Sequence, residues 1–182
     1  MPMIILTCLA SRLSNKQVVW VEDRMEHLTA ASSATGRLTK IKASIDDQGT
    51  IHALDYDQID DVGAYPRAPE PASLYRMHGN LSGAYKVKNI RCRNRVILTN
   101  KTPSGLNRGF GGPQHYFALE RLVHQIAVEL KLNVLDVIKI NLLEKNQFPY
   151  KSPSGALLDS GNFQKLVKLS LIHISEPTRQ VL

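Results

Sequence analysis

Cysteine is nearly absent: Cys8 and Cys92 stand far apart in 182 residues, with no C-x-x-C. Two thiols cannot ligate a zinc ion or an iron–sulfur cluster by themselves. They fit a reducing, cytoplasmic compartment and small buried apolar roles. Long apolar runs are also missing, since none approaches the roughly 20 residues of a membrane span. Met3 to Ala10 lacks a basic flank and a small-residue cleavage site, so it does not read as a signal peptide. Neither common nucleotide fingerprint, G-x-x-x-x-G-K-[ST] or G-x-G-x-x-G, occurs. Acidic residues are wholly absent from positions 71–119.

What is present is ordinary globular composition. Hydrophobic residues make up 43% and charged residues 21%, which excludes disordered, collagen-like and coiled-coil chains. A chain of this length can bury about 70% of its unfolded surface, enough for one real core. The net charge is +7, unevenly spread. Residues 41–70 hold seven acids against Lys42 and Arg67, whereas 71–119 hold eight bases. A basic stretch can mark a nucleic-acid partner. It can equally be the solvated face of a strand beside an acidic one.

Period and punctuation predict an α/β chain with a mixed sheet from strands near 18–22, 37–46, 50–62 and 85–101. Residues 3–14 have helical spacing. Val18–Val21, with Trp20, reads as a short buried strand. Leu38–Ile45 alternates, with Ile41, Ala43 and Ile45 on one face, and Asp46-Asp47-Gln48-Gly49 is turn chemistry before Ile51–Gln58. In 85–101 a period of two puts Arg91, Arg93 and Arg95 together on one face. A helix from Gln114 to Lys131 turns Tyr116, Leu119, Val123, Ile126, Ala127 and Leu130 to one side, a face that needs a covering layer. A short helix over Leu135–Leu143 follows, and Asp159-Ser160 reads as a cap for a helix near Gly161.

The densest chemical signal is Arg108-Gly109-Phe110-Gly111-Gly112-Pro113-Gln114, between a strand and a helix. Glycines let backbone approach a ligand closely, and Pro113 suits the first helical position, where its missing N–H costs nothing. The helix start behind them offers free N–H groups to an anion, with Arg108 adding charge. A plain turn explains the same residues about as well.

This heptad resembles the cofactor loop of the molybdenum hydroxylases, the xanthine dehydrogenase and aldehyde oxidase family, in the large molybdopterin-binding subunit. Other segments resemble that family in the same order across roughly residues 3–167. They are Val18 to Glu26 with Asp23-Arg24-Met25-Glu26, Asp61-Val62-Gly63-Ala64-Tyr65, Tyr85 to Ile90, and Leu135 to Leu142 with Asn141. The run Val137-Ile138-Lys139-Ile140 departs from it, being less basic than is usual there.

The resemblance implies an oxidoreductase that hydroxylates a carbon centre of an aromatic N-heterocycle or aldehyde, with water as oxygen source. It implies a molybdenum–molybdopterin cofactor, in the cytosine dinucleotide form if bacterial. The metal is held by the pterin, so no protein ligand to it is expected. FAD and iron–sulfur clusters are expected on partner subunits, in a dimer of heterotrimers with no membrane or nucleic-acid partner. Arg108, Gly109, Phe110 and Gly111 map onto the cofactor loop. Phe110 also maps onto the phenylalanine that packs against substrate, where the carbon monoxide branch has a smaller residue. Arg76, counted back from Tyr85, falls at a substrate-anchoring arginine of xanthine-specific members. The proton-accepting glutamate and other cofactor loops have no counterpart here, so no catalytic residue is assigned. Glu22, Glu26 and Glu120 read as structural or solvated.

By this reading residues 1–168 are a fragment of a molybdopterin-binding domain, inactive alone. Residues 169–182, from Leu169-Ser170-Leu171-Ile172-His173-Ile174-Ser175-Glu176-Pro177 onward, resemble one frame of a library adaptor and form a non-native tail. The alternative function is a small basic nucleic-acid-binding protein, resting on the pI of about 9.5 and the acid-free stretch. Against it, the arginine strand lacks the interleaved aromatics of a single-strand binder. The six histidines show no ligand spacing; His115 and His124 are nine apart, not the four of one helical turn. Trp20 reads as core.

Overall fold

The computed structural model describes residues 2–175. The chain divides into two units, residues 1–32 and 33–182. The first holds α1 (Pro2–Ser14) and α2 (Arg24–Ala30). Asp23-Arg24-Met25-Glu26 is a capping box. The Asp23 carboxylate accepts the Glu26 N–H at 2.8 Å, and the Glu26 carboxylate accepts the Asp23 N–H at 3.0 Å. That reciprocal pair satisfies donors a helix start leaves open. Glu22 Oε2 lies 2.8 Å from His27 Nδ1.

Three expectations fail in this unit. Residues 17–23 form no strand, and Val19, Trp20 and Val21 are exposed. Cys8 is exposed as well. An apolar run becomes a buried strand only when a sheet and a second layer are there to receive it, and unit 1 comprises two helices and connecting backbone.

The second unit is built on β1 (Gly36–Ile45), β2 (Ile51–Asp61) and β3 (Asn89–Ile97), in the order β1-β2-β3. The first two form the expected antiparallel hairpin, and β3 lies parallel to β2, so the sheet is mixed. β3 is shorter than the 85–101 expected. Tyr85 instead bridges to Leu142, and the Lys86 N–H donates to the Asn141 carbonyl at 2.8 Å.

The outer face of the sheet resolves the charge asymmetry. Asp55 lies between Lys42 and Arg91 in register, and Asp57 between Lys40 and Arg93. Arg91 makes a forked pair with Asp55, 2.8 and 2.5 Å, and Arg95 bonds Asp57. The basic strand is thus the solvated partner of an acidic one, which removes the observation behind a nucleic-acid role.

The inner face carries the core: Leu54 and Tyr56 of β2 and Val87 pack with Leu119, Val123, Ile126 and Ala127 of α4 (Gly112–Leu130). Each such side chain contributes about 1.5–3 kcal/mol on burial. The apolar face expected to want a layer therefore finds one within the chain. Tyr116, at its edge, remains 36% exposed. What stays bare is the other side: Phe117 is 70% and Leu38 60% exposed, flanking a groove of about 790 Å³ between β1 and α4.

α5 (Val134–Asn141) is tied to the hairpin by Asn141. Its Oδ1 accepts the Ile51 N–H at 2.8 Å, and its Nδ2 donates to the Gly49 and Val137 carbonyls, both 2.8 Å. Short strands β4 (Tyr150–Lys151) and β5 (Leu157–Leu158) precede α6 (Phe163–Ser175). The Asn162 side chain, not Asp159-Ser160, caps α6 by accepting the Lys165 N–H at 3.0 Å. α6 runs unbroken across residues 168 and 169, and residues 176–182 of the expected tail lie outside the described residues.

Candidate functional site

The parallel pairing of β2 and β3 continues past both strands and delivers the chain to the glycine-rich loop. The Val62 N–H donates to Ile97, Thr99 to Gly63, Ala64 to Lys101 and Ser104 to Val62, all at 2.9–3.1 Å between N and O. Gly63 sits at φ +79 with its backbone against Thr102 and Pro103. A Cβ there would lie 2.5 Å from the Thr102 oxygen. Asp61 locks the same corner. Its Oδ1 accepts Thr99 Oγ1 at 2.6 Å and the Gly63 N–H at 2.9 Å, and its Oδ2 meets Lys101 Nζ at 2.9 Å. These contacts, the Thr99 hydroxyl first, hold its carboxyl at about 2. The Asp61-Val62-Gly63 motif ties down the 97–104 segment that leads to the loop.

The loop closes through two short turns. The Phe110 N–H donates to Asn107 at 3.0 Å and the Gly112 N–H to Gly109 at 2.9 Å. Gly109, Phe110 and Gly111 are consecutive left-handed residues, with φ +88, +44 and +85. Glycine adopts this freely, phenylalanine at a cost of order 1–3 kcal/mol. The strain aims the Phe110 ring. The Arg76 guanidinium lies over it, 5.0 Å from the centroid, in cation–π contact. Arg76 follows directly on α3 (Ala72–Tyr75), so two residues 34 positions apart meet at one cleft. That cleft, about 690 Å³, is lined by Pro69, Tyr75, Arg76, Leu106, Gly109 and Phe110 among others.

Beneath the loop lies a buried polar layer that the sequence did not reveal. Arg37 and Asp60, opposite each other in the hairpin, form a forked ion pair at 2.6 and 2.8 Å, 2% and 0% exposed. Arg37 Nη2 also donates to the Ser73 carbonyl at 3.0 Å. Glu70 Oε2 accepts the Ser73 hydroxyl at 2.6 Å and its N–H at 3.2 Å. His115, 1% exposed, approaches the Leu81 carbonyl with Nε2 at 3.1 Å, and burial pulls its pKa below the ordinary imidazole value. It is a core histidine. The usable signal for the ion pair was register: Arg37 and Asp60 stand on inward positions of two paired strands.

A family model described as molybdopterin cofactor-binding domain matches residues 1–142. The chain belongs to this family. Among relatives of the molybdopterin-binding domain, the carbon monoxide dehydrogenase large chain of Hydrogenophaga pseudoflava is 26% identical over 182 residues, 97% of this chain and 22% of that protein. The 6-hydroxypseudooxynicotine dehydrogenase complex subunit gamma of Paenarthrobacter nicotinovorans is 30% identical over 149 residues, covering 82% and 19%. The crystal structure of quinoline 2-oxidoreductase from Pseudomonas putida 86 superposes with a TM-score of 0.87 at 29% identity, covering 97% and 22%. This chain therefore spans about a fifth of the length of these relatives.

The residues present suit a molybdopterin cofactor. α4, with Gly111 as its N-cap, has no side-chain cap and no acid in its first turn, so nothing negative occupies its positive end, while the Gly112 N–H is already donated to Gly109. Pro113 stands at the second helical position rather than the first, with its ring against Gly109 of the loop. Gln114 Oε1 is buried with no hydrogen-bond partner among the described residues, a vacant acceptor beside the loop. Arg108 and Gly109 are exposed, and Gly111 is buried as the floor. Of the three glutamates weighed from the sequence, Glu120 accepts the Tyr85 hydroxyl at 2.8 Å, Glu26 closes the capping box of α2 and Glu22 lies against His27.

Proposed function

We propose that this chain is the part of a molybdenum hydroxylase large subunit that presents the pterin cofactor to a planar substrate. Residues 1–168 are the domain fragment, and 169–182 do not belong to it. The observation that carries the reading is Phe110. It is held at φ +44 between two left-handed glycines, with Arg76 over its ring at the mouth of a cleft. Strain of this kind persists where a side chain must be aimed.

When bound, the molybdenum cofactor supplies oxygen-atom transfer to a carbon and takes up the electrons released. This chain's own residues do the placing. Arg108, Gly109 and Gly111 offer backbone approach and positive charge to the cofactor. Phe110 gives a flat apolar wall to the substrate ring, and Arg76 donates to an anionic or carbonyl oxygen at its rim. An aromatic N-heterocycle bearing such an oxygen, or an aromatic aldehyde, satisfies both, an aliphatic aldehyde only the second. The relatives named for quinoline and for 6-hydroxypseudooxynicotine agree in class. The carbon monoxide reading, to which another relative's name points, would leave the Phe110 wall without a ring to meet. The cytosine dinucleotide form of the cofactor, separate FAD and iron–sulfur subunits, a dimer of heterotrimers and a cytoplasmic location complete the proposal.

The test is Phe110→Ala in the full-length subunit. KM for an N-heterocycle should rise or kcat fall, by roughly ten- to a hundredfold for the lost aromatic contact. Bound molybdenum should hold. Loss of the metal with that change would make Phe110 a cofactor residue and remove the substrate assignment.

A further inference from the structure

The Arg37–Asp60 pair invites a question of cost. Both side chains are almost wholly out of water. Such pairs repay their desolvation poorly, and an apolar pair of similar volume is often as stable. Stability alone is a weak account of it.

Geometry supplies a better one. The two bonds to Asp60 fix the plane of the guanidinium, and its Nη2 is then aimed at the Ser73 carbonyl, 3.0 Å away. Ser73 is gripped from its other side by Glu70, through both hydroxyl and N–H. The glycine-rich loop rests on that same carbonyl: a Cβ on Gly111 would lie 1.7 Å from the Ser73 oxygen. Ser73 belongs to α3, and α3 runs directly into Arg76. One carbonyl thus sets the height of the loop carrying Phe110 and the position of the segment carrying Arg76.

We propose that Arg37 and Asp60 are positioning residues, which hold Ser73 and through it bring Phe110 and Arg76 together at the cleft. A lysine at position 37 keeps the charge but not the fork, since an ammonium cannot serve a bidentate carboxylate and a third acceptor in one plane.

Arg37→Lys in the full-length subunit, free of metal, tests this by amide hydrogen exchange. The Phe110 and Gly112 amides, protected by bonds to Asn107 and Gly109, should exchange at least about tenfold faster, while residues 119–127 of α4 keep their protection. The double variant Arg37→Met with Asp60→Leu removes both charges together and should show the same asymmetry. Unchanged exchange at 110–112, or equal acceleration at 119–127, would make the pair a plain core element and overturn the proposal. Its link to the cofactor rests on the function proposed above and is read separately, from molybdenum content. Faster loop exchange with full metal loading would leave the positioning role standing and remove the cofactor contact from that reading.

Discussion

Glycines in and beyond the loop are not interchangeable, and their differences are predictable residue by residue. At Gly111 two penalties coincide, a φ of +85 and a Cβ position 1.7 Å from the Ser73 oxygen. Gly111→Ala should cost about 3 kcal/mol or more, because backbone must move. At Gly155 the φ is +106 but nothing lies within 4 Å. Gly155→Ala should cost only the backbone term, about 1–3 kcal/mol. Gly112 has neither problem, since a Cβ there would lie 3.7 Å from Met77 Sδ and Tyr116 Cε2. Gly112→Ala should change stability by less than about 1 kcal/mol in either direction. Urea denaturation of the three variants checks the order, and a Gly111 variant as mild as Gly112 would remove the Ser73 contact from the account. These glycines look alike in the sequence because φ and close approach are properties of the folded neighbourhood.

At the scale of elements, local pattern was legible and long-range polar contact was not. The hairpin, the arginine face of β3 and the helix over 112–130 follow from periods of two and 3.6. Val18–Val21 misled because an apolar run carries no information about whether a sheet will receive it. The resemblance of Leu135 to Leu142 marked Asn141 without explaining it. The explanation is that it joins α5 to a turn 90 residues earlier. Asn141→Leu should destabilise by about 2–5 kcal/mol, since the Ile51 N–H and the Gly49 carbonyl lose their buried partner. Thermal unfolding reads this, and a loss within error of zero would mean that water replaces the amide. The corner after β2 carries a pH signature. Asp61 is depressed from its ordinary 3.8 to about 2 in the folded state. Its contribution is therefore complete above pH ~4 and is lost as pH falls through about 2. Asp61→Asn should flatten the acid limb of the stability profile between those values. An unaltered limb would show that Thr99 and Lys101 do not hold the carboxylate in solution.

At the scale of the whole molecule, the question is whether this polypeptide can act alone. Catalysis by the proposed route needs a bound cofactor, an oriented substrate and a proton acceptor in reach. On the function proposed above, the chain supplies one cofactor loop and the Phe110–Arg76 cleft, in about a fifth of the length of the carbon monoxide dehydrogenase and quinoline 2-oxidoreductase chains it matches. Several of its carboxylates are engaged elsewhere: Asp55 and Asp57 in the charge ladder, Asp60 with Arg37, Glu70 with Ser73, Glu120 with Tyr85. Apolar surface is left bare within each unit taken by itself. In unit 1, Ile5, Leu13 and Val21 are 65%, 77% and 83% exposed, and in unit 2, Leu38, Phe117 and Val128 are 60%, 70% and 61% exposed. Exposed apolar side chains of that size favour aggregation or association where they cluster. Expressed alone, the 182-residue chain should be poorly soluble, hold no molybdenum and turn over no N-heterocycle with an artificial electron acceptor. Metal analysis and a dye-reduction assay on the soluble fraction decide it. Stoichiometric molybdenum or measurable turnover would show that a single loop on a three-stranded sheet suffices, and would require the missing base to be sought among the carboxylates just named.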